Sequence, residues 1–315
     1  MEIIRDFSDN VKFTKPMAIA LGNFDGVHLG HQQLIKSCIS ESRKQGWNSG
    51  VITFEPHPNL ILNKDSSFKL LNTYQEKYCL LESLGLDYLF LLNFDRSLAS
   101  MEPELFVNKF LLQNFNLRKV FIGFDFTFGY RGQGTADTLR AMGEKNKFDV
   151  SVLEPIIIDN QVVSSSLIRN KLQEGNIEEA SKLLGHFPVI EGPVIDGAKR
   201  GRTMGFPTAN LAFPEYKLLP AFGVYAAWAE IKGSQRPAII NIGIKPTFNG
   251  DKPSVEAYIL DYQDDLYAEK LRLTLVQRIR PEMKFPGLKE LKEQITVDVE
   301  KARRILQETE LNYRA

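Results

Sequence analysis

The hydrophobic positions of this chain change rhythm part-way along it. In the first half, short apolar runs at Met17–Leu21, Val51–Phe54, Tyr88–Phe94, Lys119–Phe124 and Val150–Ile158 alternate with stretches of helical spacing. Leu34, Ile35, Cys38 and Ile39 make one such stretch. Tyr78, Leu81, Glu82 and Leu84 make another, with Gly85 as its stop. Continuous apolar runs suit strands buried on both faces, and strands alternating with helices predict a parallel sheet covered on both sides. Such sheets bind ligands beyond the carboxyl ends of their strands.

The second half has period two. Val224, Ala226 and Trp228 alternate with Tyr225, Ala227 and Ala229, and Leu271, Leu273 and Leu275 alternate with Arg272, Thr274 and Val276. Several short segments of this kind between about Val189 and Arg280 predict an antiparallel barrel or sandwich. Leu288, Leu291, Ile295, Val299, Ala302 and Leu306 then form one apolar stripe at helical spacing, which predicts a closing helix. Ile177–Leu184 reads as a short helix, and the change of rhythm falls near Gly185–Pro188. The expectation is two domains, 1–186 and 187–315, a natural number for 315 residues.

Composition narrows the class. At 43% hydrophobic and 25% charged residues, the chain can fill two cores. Lys+Arg and Asp+Glu are 39 each, so no basic excess points to nucleic acid or to a membrane surface. Cys38 and Cys79 both sit in apolar helical patterns, which fits reduced thiols in a reducing compartment. The start lacks the apolar run of a signal peptide, and no stretch of about 18 apolar residues spans a membrane. The cytoplasm is the expected location.

The densest candidate chemistry is Leu21-Gly22-Asn23-Phe24-Asp25-Gly26-Val27-His28-Leu29-Gly30-His31, which follows the first strand and opens the first helix. Gly22, Gly26 and Gly30 let the backbone turn tightly and approach a ligand closely. A helix N-terminus offers unpaired N–H groups and a positive dipole end, which suits phosphate. His28 and His31 share a helical face, and imidazolium groups there would stabilise charge developing in phosphoryl or nucleotidyl transfer. On residues alone, a cap or a surface position stays open for either histidine. So does a zinc pair, although no third and fourth ligand stand at metal-site spacing.

This segment resembles the G-x-F-D-G-x-H-x-G-H signature of the HxGH nucleotidyltransferase superfamily, in the variant of bacterial FAD synthetases. Phe54-Glu55-Pro56-His57-Pro58 is similar to that family's F-x-P-H-P. Gly123-Phe124-Asp125-Phe126-Thr127-Phe128-Gly129 is similar to its G-x-D-F-x-F-G, with Gly134 closing the loop. Val163-Ser164-Ser165-Ser166-Leu167-Ile168-Arg169 is similar to its I-S-S-T-x-I-R, with Ser166 keeping the hydroxyl of the usual threonine. The resemblance implies phosphate binding by Gly22, Phe24, Asp25, Gly26, Gly30, Ser164, Ser165 and Arg169, and catalysis by His28 and His31. It places His57 in the active-site wall and implies flavin binding by His57, Asp125, Phe126 and Phe128. Each has a plainer reading beside it: a turn residue for His57, a capping cluster for the serines, core packing for Phe124, Phe126 and Phe128.

A second phosphoryl-transfer site has to rest on other residues, because no G-x-x-x-x-G-K-[ST] loop and no protein-kinase set is present. Gly197-Ala198-Lys199-Arg200-Gly201-Arg202-Thr203-Met204-Gly205-Phe206-Pro207-Thr208-Ala209-Asn210 interleaves glycines with cations, as a flap over phosphates would. A basic surface loop is the plain alternative. The segment resembles the riboflavin kinase signature, G-x-x-x-G-R-x-x-G-F-P-T-A-N. Gly223-Val224-Tyr225, Asn241-Ile242-Gly243-Ile244-Lys245-Pro246-Thr247-Phe248 and Val255-Glu256 through Leu260-Asp261 are similar to that family's later motifs. The resemblance implies an ATP flap with Gly197, Lys199, Gly201, Arg202, Gly205 and Pro207, Mg2+ on Thr208 and Asn210, and Glu256 as the catalytic base. Tyr267-Ala268 stands where that family has Tyr-Gly, which touches only a local turn.

The two resemblances, in this order, identify the chain as a member of the bacterial bifunctional riboflavin kinase/FAD synthetase family. The implied fold is a Rossmann-like parallel-sheet nucleotidyltransferase domain, then a six-stranded antiparallel barrel with a closing helix. The implied substrates are riboflavin, FMN and ATP, used by a monomer or weak homo-oligomer without nucleic acid or membrane. Another HxGH adenylyl- or cytidylyltransferase would leave the C-terminal motifs unexplained. A flavin-binding regulator without catalysis would not need His28, His31, Thr208, Asn210 and Glu256 intact.

Overall fold

The structure, a computed structural model, describes residues 1–5, 12–63, 67–196, 205–247, 250–262, 264 and 266–314. It divides into two compact units, one of Met1–Leu70 with Tyr74–Ser164, the other of Leu71–Thr73 with Ser165–Ala315.

The first unit is a parallel sheet of β1 (Glu2–Arg5), β2 (Phe13–Leu21), β3 (Asn48–Glu55), β4 (Tyr88–Asn93), β5 (Phe115–Gly123) and β6 (Asp149–Leu153). The strand order is β1-β4-β3-β2-β5-β6, every neighbouring pair being parallel. Its helices are α1 (Leu29–Gln45), α2 (Pro58–Leu62), α3 (Tyr74–Ser83), α4 (Arg96–Ala99), α5 (Pro103–Val107) and α6 (Ala136–Asn146). Successive strand residues face opposite ways. Met17, Ile19 and Leu21 therefore join Phe90, Phe106, Leu111 and Leu139 on one side, while Ala18 and Ala20 meet Leu34, Ile35, Cys38 and Ile39 of α1 on the other. The all-apolar run Met17–Leu21 reads as a strand because both faces are covered.

Two details depart from the pattern reading. The short, half-polar β1 at the sheet edge was not among the expected strands. The run Val150–Ile158 is not one strand. It ends at β6, and β7 (Ile157–Ile158) pairs antiparallel with β8 (Gln161–Val162) in a separate ribbon. Pro155 lies between and cannot donate to a ladder.

The second unit begins with α7 (Ser165–Glu174) and α8 (Ile177–Leu184). A closed barrel follows, made of β9 (Val189–Ile195), β10 (Ala209–Leu211), β11 (Gly223–Ile231), β12 (Ser234–Thr247), β13 (Gly250–Ile259) and β14 (Lys270–Pro281). Its order is β10-β13-β12-β11-β14-β9, with β9 paired back to β10, and all pairs are antiparallel. Tyr225, Ala227, Ile240, Ile242, Val255, Ala257, Leu273 and Leu275 are buried, in step with an inward-facing set. The alternate residues Val224, Ala226, Ile239 and Val276 are covered by Ala302 and Leu306 of α9 (Leu288–Arg314). The Arg280 guanidinium donates to both carboxylate oxygens of the buried Asp298, tying α9 to β14. The apolar stripe on α9 becomes a contact only beyond its start, since Leu288 is 71% exposed.

By compactness the units change at Ser164/Ser165, earlier than the change of strand rhythm near 186. The reason is packing: α8 lies against β14, and the Ala221 N–H donates to the Leu172 carbonyl of α7.

Candidate functional site

In the first unit, β3, β2 and β5 are contiguous and parallel. The loops leaving them at Gly22, Pro56 and Phe124 therefore share the carboxyl edge of the sheet. Strand order runs one way from β2 through β3 and the other way through β5, so the Gly22–Gly30 loop sits at the switch point where such sheets bind ligands.

The loop itself is tightly constrained. Gly26 has φ +85°, and Phe24 and Val27 are held at +51° and +42°, unusual for bulky side chains. Gly30 lies against the His28 imidazole: a Cβ there would come within 3.2 Å of the ring. Asp25 and His28 are buried. His28 caps α1, its Nδ1 accepting the His31 N–H at 3.4 Å. The two imidazoles stack with centroids 3.6 Å apart, and Phe24 meets His31 edge-on at 5.3 Å. His28 is thus the helix cap that the sequence left open, and its ring faces that of the partner histidine.

His31 is partly exposed, but its Nδ1 is sealed from solvent without a hydrogen-bond partner. Burial first, then the charges of His28 and Lys77, hold its basicity well below the ordinary histidine value. Without ligand this environment favours the neutral imidazole, and a bound polyphosphate would pull in the opposite direction, toward the imidazolium.

His57 is buried as the cap of α2. Its Nδ1 accepts from the Asn59 N–H at 3.1 Å, its own N–H donates to the Tyr74 hydroxyl at 3.1 Å, and its ring lies 5.5 Å from that of Phe68. In the loop after β5, Asp125 is exposed and Phe126 is partly buried, stacked on Phe128 with centroids 5.9 Å apart. Phe128 is enclosed in the core beside Phe106, whereas Phe124 is 49% exposed. Ser164 is the last residue of the first unit, and Ser165 and Arg169 open α7 in the second. A groove of about 590 Å3 runs along α1 and includes Leu29, Lys36, Lys119 and Ile156, but neither histidine of the pair.

Sequence reasoning missed Lys77. Glu76 and Lys77 of α3 are both buried, at 1% and 4% exposure. The Lys77 ammonium reaches the Asn23 carbonyl at 3.5 Å and the Thr53 hydroxyl at 3.4 Å, which brings it to the loop. Nothing in the local sequence Tyr74-Gln75-Glu76-Lys77 separates it from a solvated helix start.

In the second unit, β10 and β13 bring Asn210 and Glu256 opposite each other, and β12 adds Asn241 opposite Glu256. Val255 and Ala257 are buried with the inward set, so this row of polar side chains lies on the outer face. Asn210 is buried, and Glu256 and Thr208 are half-buried. The Thr208 hydroxyl donates to Glu256 Oε2 at 3.5 Å. Phe206 meets Tyr258 edge-on at 5.4 Å, and Gly205 has φ +88°. Gly205 and Pro207 are exposed. The flap residues Gly197, Lys199, Gly201 and Arg202 lie outside the described residues. A Thr hydroxyl, an Asn carboxamide and a carboxylate are the hard oxygen donors that suit Mg2+, which keeps waters and phosphates as its other ligands. Among the described residues no cluster of three or more His, Cys, Asp or Glu forms a metal site.

Comparison with known proteins agrees with this division. The FAD synthetase family model matches residues 10–167 and the riboflavin kinase family model residues 184–306. The bifunctional riboflavin kinase/FMN adenylyltransferase of Bacillus subtilis (strain 168) is 39% identical over 288 residues, 90% of each chain. The enzyme of that description from Escherichia coli (strain K12) is 34% identical over 283 residues, 89% of this chain and 90% of that one. A solved structure described as a macrolide-efflux protein from Streptococcus pneumoniae aligns over 96% of this chain and 99% of its own, with TM-score 0.87 and 31% identity. Among the described residues here, no helix is long and apolar enough to cross a membrane.

Proposed function

Because the chain belongs to the family of bifunctional riboflavin kinase/FMN adenylyltransferases, we propose that its two activities divide between residues 1–186 and 187–315. The protein phosphorylates riboflavin to FMN with ATP and adenylylates FMN to FAD with a second ATP, releasing pyrophosphate. The first domain carries adenylyl transfer and the second the kinase. The observation that carries the reading is the presence of two separate constellations: a histidine pair at the switch point of a parallel sheet, and Thr208, Asn210 and Glu256 gathered on one barrel face.

In the adenylyl-transfer site, the Gly22–Gly30 backbone and the start of α1 receive the phosphates of ATP, with Gly22, Phe24, Asp25, Gly26 and Gly30 shaping the loop. His28 and His31 act on the charge that develops as pyrophosphate leaves. Ser164, Ser165 and Arg169 are phosphate ligands on the resemblance of their segment. His57, Asp125 and Phe126 serve the flavin, and Phe128 serves it from beneath by backing the Phe126 ring. In the kinase site, Glu256 takes the proton from the terminal hydroxyl of the ribityl chain. Thr208 and Asn210 would hold Mg2+, which when bound neutralises charge on the phosphates. Gly197, Lys199, Gly201, Arg202, Gly205 and Pro207 form the flap over ATP. The balanced charge and the free cysteines support a cytoplasmic protein that acts on small molecules without nucleic acid or membrane, as a monomer or weak homo-oligomer in our reading.

The test is an incubation of the full chain with riboflavin, ATP and Mg2+, followed by chromatographic separation of the flavins. FMN and FAD are both expected, and chelation of Mg2+ should stop both. FMN without FAD would remove the adenylyl-transfer assignment, and riboflavin left unchanged would remove that of the kinase.

A further inference from the structure

Two lysines among the described residues are buried to a few per cent exposure, and they are bound very differently. The Lys217 ammonium donates to two backbone carbonyls, of Leu71 and Val189, each at 2.8 Å. Lys77 makes only long contacts, 3.4 Å to the Thr53 hydroxyl and 3.5 Å to the Asn23 carbonyl, and lies 5.6 Å over the Tyr74 ring. Among the described residues no carboxylate stands within ion-pair distance of it. A buried cation with weak partners is costly to keep, so a lysine of this kind is better explained by what it does than by what it stabilises.

What Lys77 touches is the loop. The Asn23 carbonyl accepts from Lys77 and also from the Thr53 hydroxyl at 3.1 Å. Asn23 precedes Phe24, whose backbone is held at positive φ and whose ring meets His31 edge-on. A chain of contacts thus runs from Lys77 through Asn23 and Phe24 to His31. At its end is a solvent-sealed imidazole nitrogen with no partner, an unusual feature in a folded interior. The charges near this assembly are Asp25 on the loop, Glu55 at the end of β3, and His28 beside His31.

We propose that Lys77 is a positioning residue for adenylyl transfer: it holds the Asn23 carbonyl, and through it Phe24 and His31, and sets a fixed positive charge behind the histidine pair. This rests on the reading of His31 as part of the adenylyl-transfer site. At neutral pH the Lys77 ammonium places positive charge behind the histidine pair whichever form His31 takes. The anion so favoured is the polyphosphate of a nucleotide substrate.

Lys77→Met in the full-length protein removes the charge and keeps most of the volume. FMN adenylylation should fall about 10- to 100-fold in kcat, the scale of a small misplacement near reacting groups. Riboflavin phosphorylation by the same preparation should hold. The thermal midpoint should not fall, because a poorly partnered buried cation has been replaced by an apolar chain. The His31 imidazole, followed by NMR among the four histidines and assigned with His31→Gln, should titrate at higher pH in the Lys77→Met protein. Adenylylation within twofold of wild type, or an unmoved His31 titration, would overturn the proposal. So would loss of adenylylation together with a lower midpoint, which marks a merely structural lysine. If Lys77→Met does not fold, Lys77→Gln is read by the same criteria. His31→Ala is the companion control. If it adenylylates FMN at full rate, the site reading itself fails; if it is inactive while Lys77→Met is active, only this inference fails.

Discussion

His28 is buried at the start of α1, and the inner ring nitrogen of His31 is closed off from water. Glu256 and Thr208, by contrast, are half-buried on the outer face of a barrel, positioned by strand register. The first site is set by a strained loop and by the removal of water, which depresses the basicity of His31 and brings that of Lys77 down to about 8. The second is set by ladders: three antiparallel strands put Asn210, Glu256 and Asn241 in one row, and a change at one of them leaves the ladder intact. The lesson is that side chains in the second site are separable from the fold, whereas in the first the chemistry and the local fold share the same buried groups.

Glu256→Gln gives the largest expected effect and tests that separability. The amide keeps the shape and can still accept from Thr208, but it is no longer a base. Riboflavin phosphorylation should fall by roughly 10²–10⁴, the range for a positioned general base. Adenylylation of added FMN should persist, so the variant makes FAD from FMN and not from riboflavin. Retained kinase turnover would make Glu256 an ordinary strand residue; loss of both activities with an altered circular dichroism spectrum would show that the row is part of the fold.

His31→Ala comes next, with a loss of about 10²–10³ in FMN adenylylation, typical of one transition-state donor, and near-normal riboflavin phosphorylation. Because the ring also packs on Phe24 and His28, His31→Gln is the better probe of chemistry alone. If the two variants are equally inactive and equally stable, chemistry and packing separate at His31 and the contrast drawn above fails there. If only the alanine variant loses stability, packing and chemistry at this position are coupled.

Much of this was legible in the chain before any coordinates. The central strands of the first unit announce themselves because both faces are covered, as Met17–Leu21 shows, whereas the half-polar edge strand β1 does not. The barrel strands do so because one face turns inward and the alternate residues need only partial cover. The glycine loop and the histidine pair stand out by their spacing after a strand, whereas Glu256 stands out only through the resemblance of its segment to the riboflavin kinase motif. Lys77 does not stand out, since burial of a charged residue on α3 depends on β3 and on a loop fifty residues away. Phe126 and Phe128 looked equivalent, yet only Phe128, bridged to Gly134 and packed beside Phe106, lies fully in the core. The compact-unit division at Ser164 was also hidden, because the packing of α8 on β14 leaves no mark on the local pattern of either.

The depressed basicity of Lys77 has a consequence for stability that Lys217, with its two short carbonyl contacts, gives no reason to share. An unfolded lysine titrates near 10.5, and Lys77 near 8, because burial outweighs the attraction of Asp25 and Glu55. Below pH 8 the ammonium is charged in both states, and the cost of burying it is fully present. Between about 8 and 10.5 the unfolded chain holds the extra proton, so stability rises with pH relative to a chain lacking this group. At about 1.4 kcal/mol per pH unit the relief totals roughly 3 kcal/mol. Chemical denaturation of wild type and Lys77→Met from pH 7 to 10.5 should show their stability difference narrowing over that window. A constant difference would mean that Lys77 is not buried as a cation.

The smallest effect separates strain that serves a site from strain that does not. Phe24 and Val27 hold positive φ within the Gly22–Gly30 loop proposed for adenylyl transfer, and the Phe24 ring packs on His31. Ala268 also holds positive φ, at +61°, but in an exposed turn before β14. Its N–H donates to the Val194 carbonyl at 3.1 Å, so the turn cannot relax by rotating away. A left-handed alanine costs about 1–2 kcal/mol relative to glycine. Glycine in turn makes the unfolded chain more flexible, which takes back about 0.4–1 kcal/mol. Ala268→Gly should therefore stabilise the second unit by roughly 0.5–1 kcal/mol and raise its thermal midpoint by about 2–3 °C. Both activities should stay at wild-type levels, since Ala268 belongs to neither constellation. The measurement is the thermal loss of riboflavin phosphorylation, which follows the second unit, beside that of FMN adenylylation. A shift in the first with none in the second confirms local relief of the turn. A lowered midpoint would mean that the alanine methyl contributes packing that outweighs its strain.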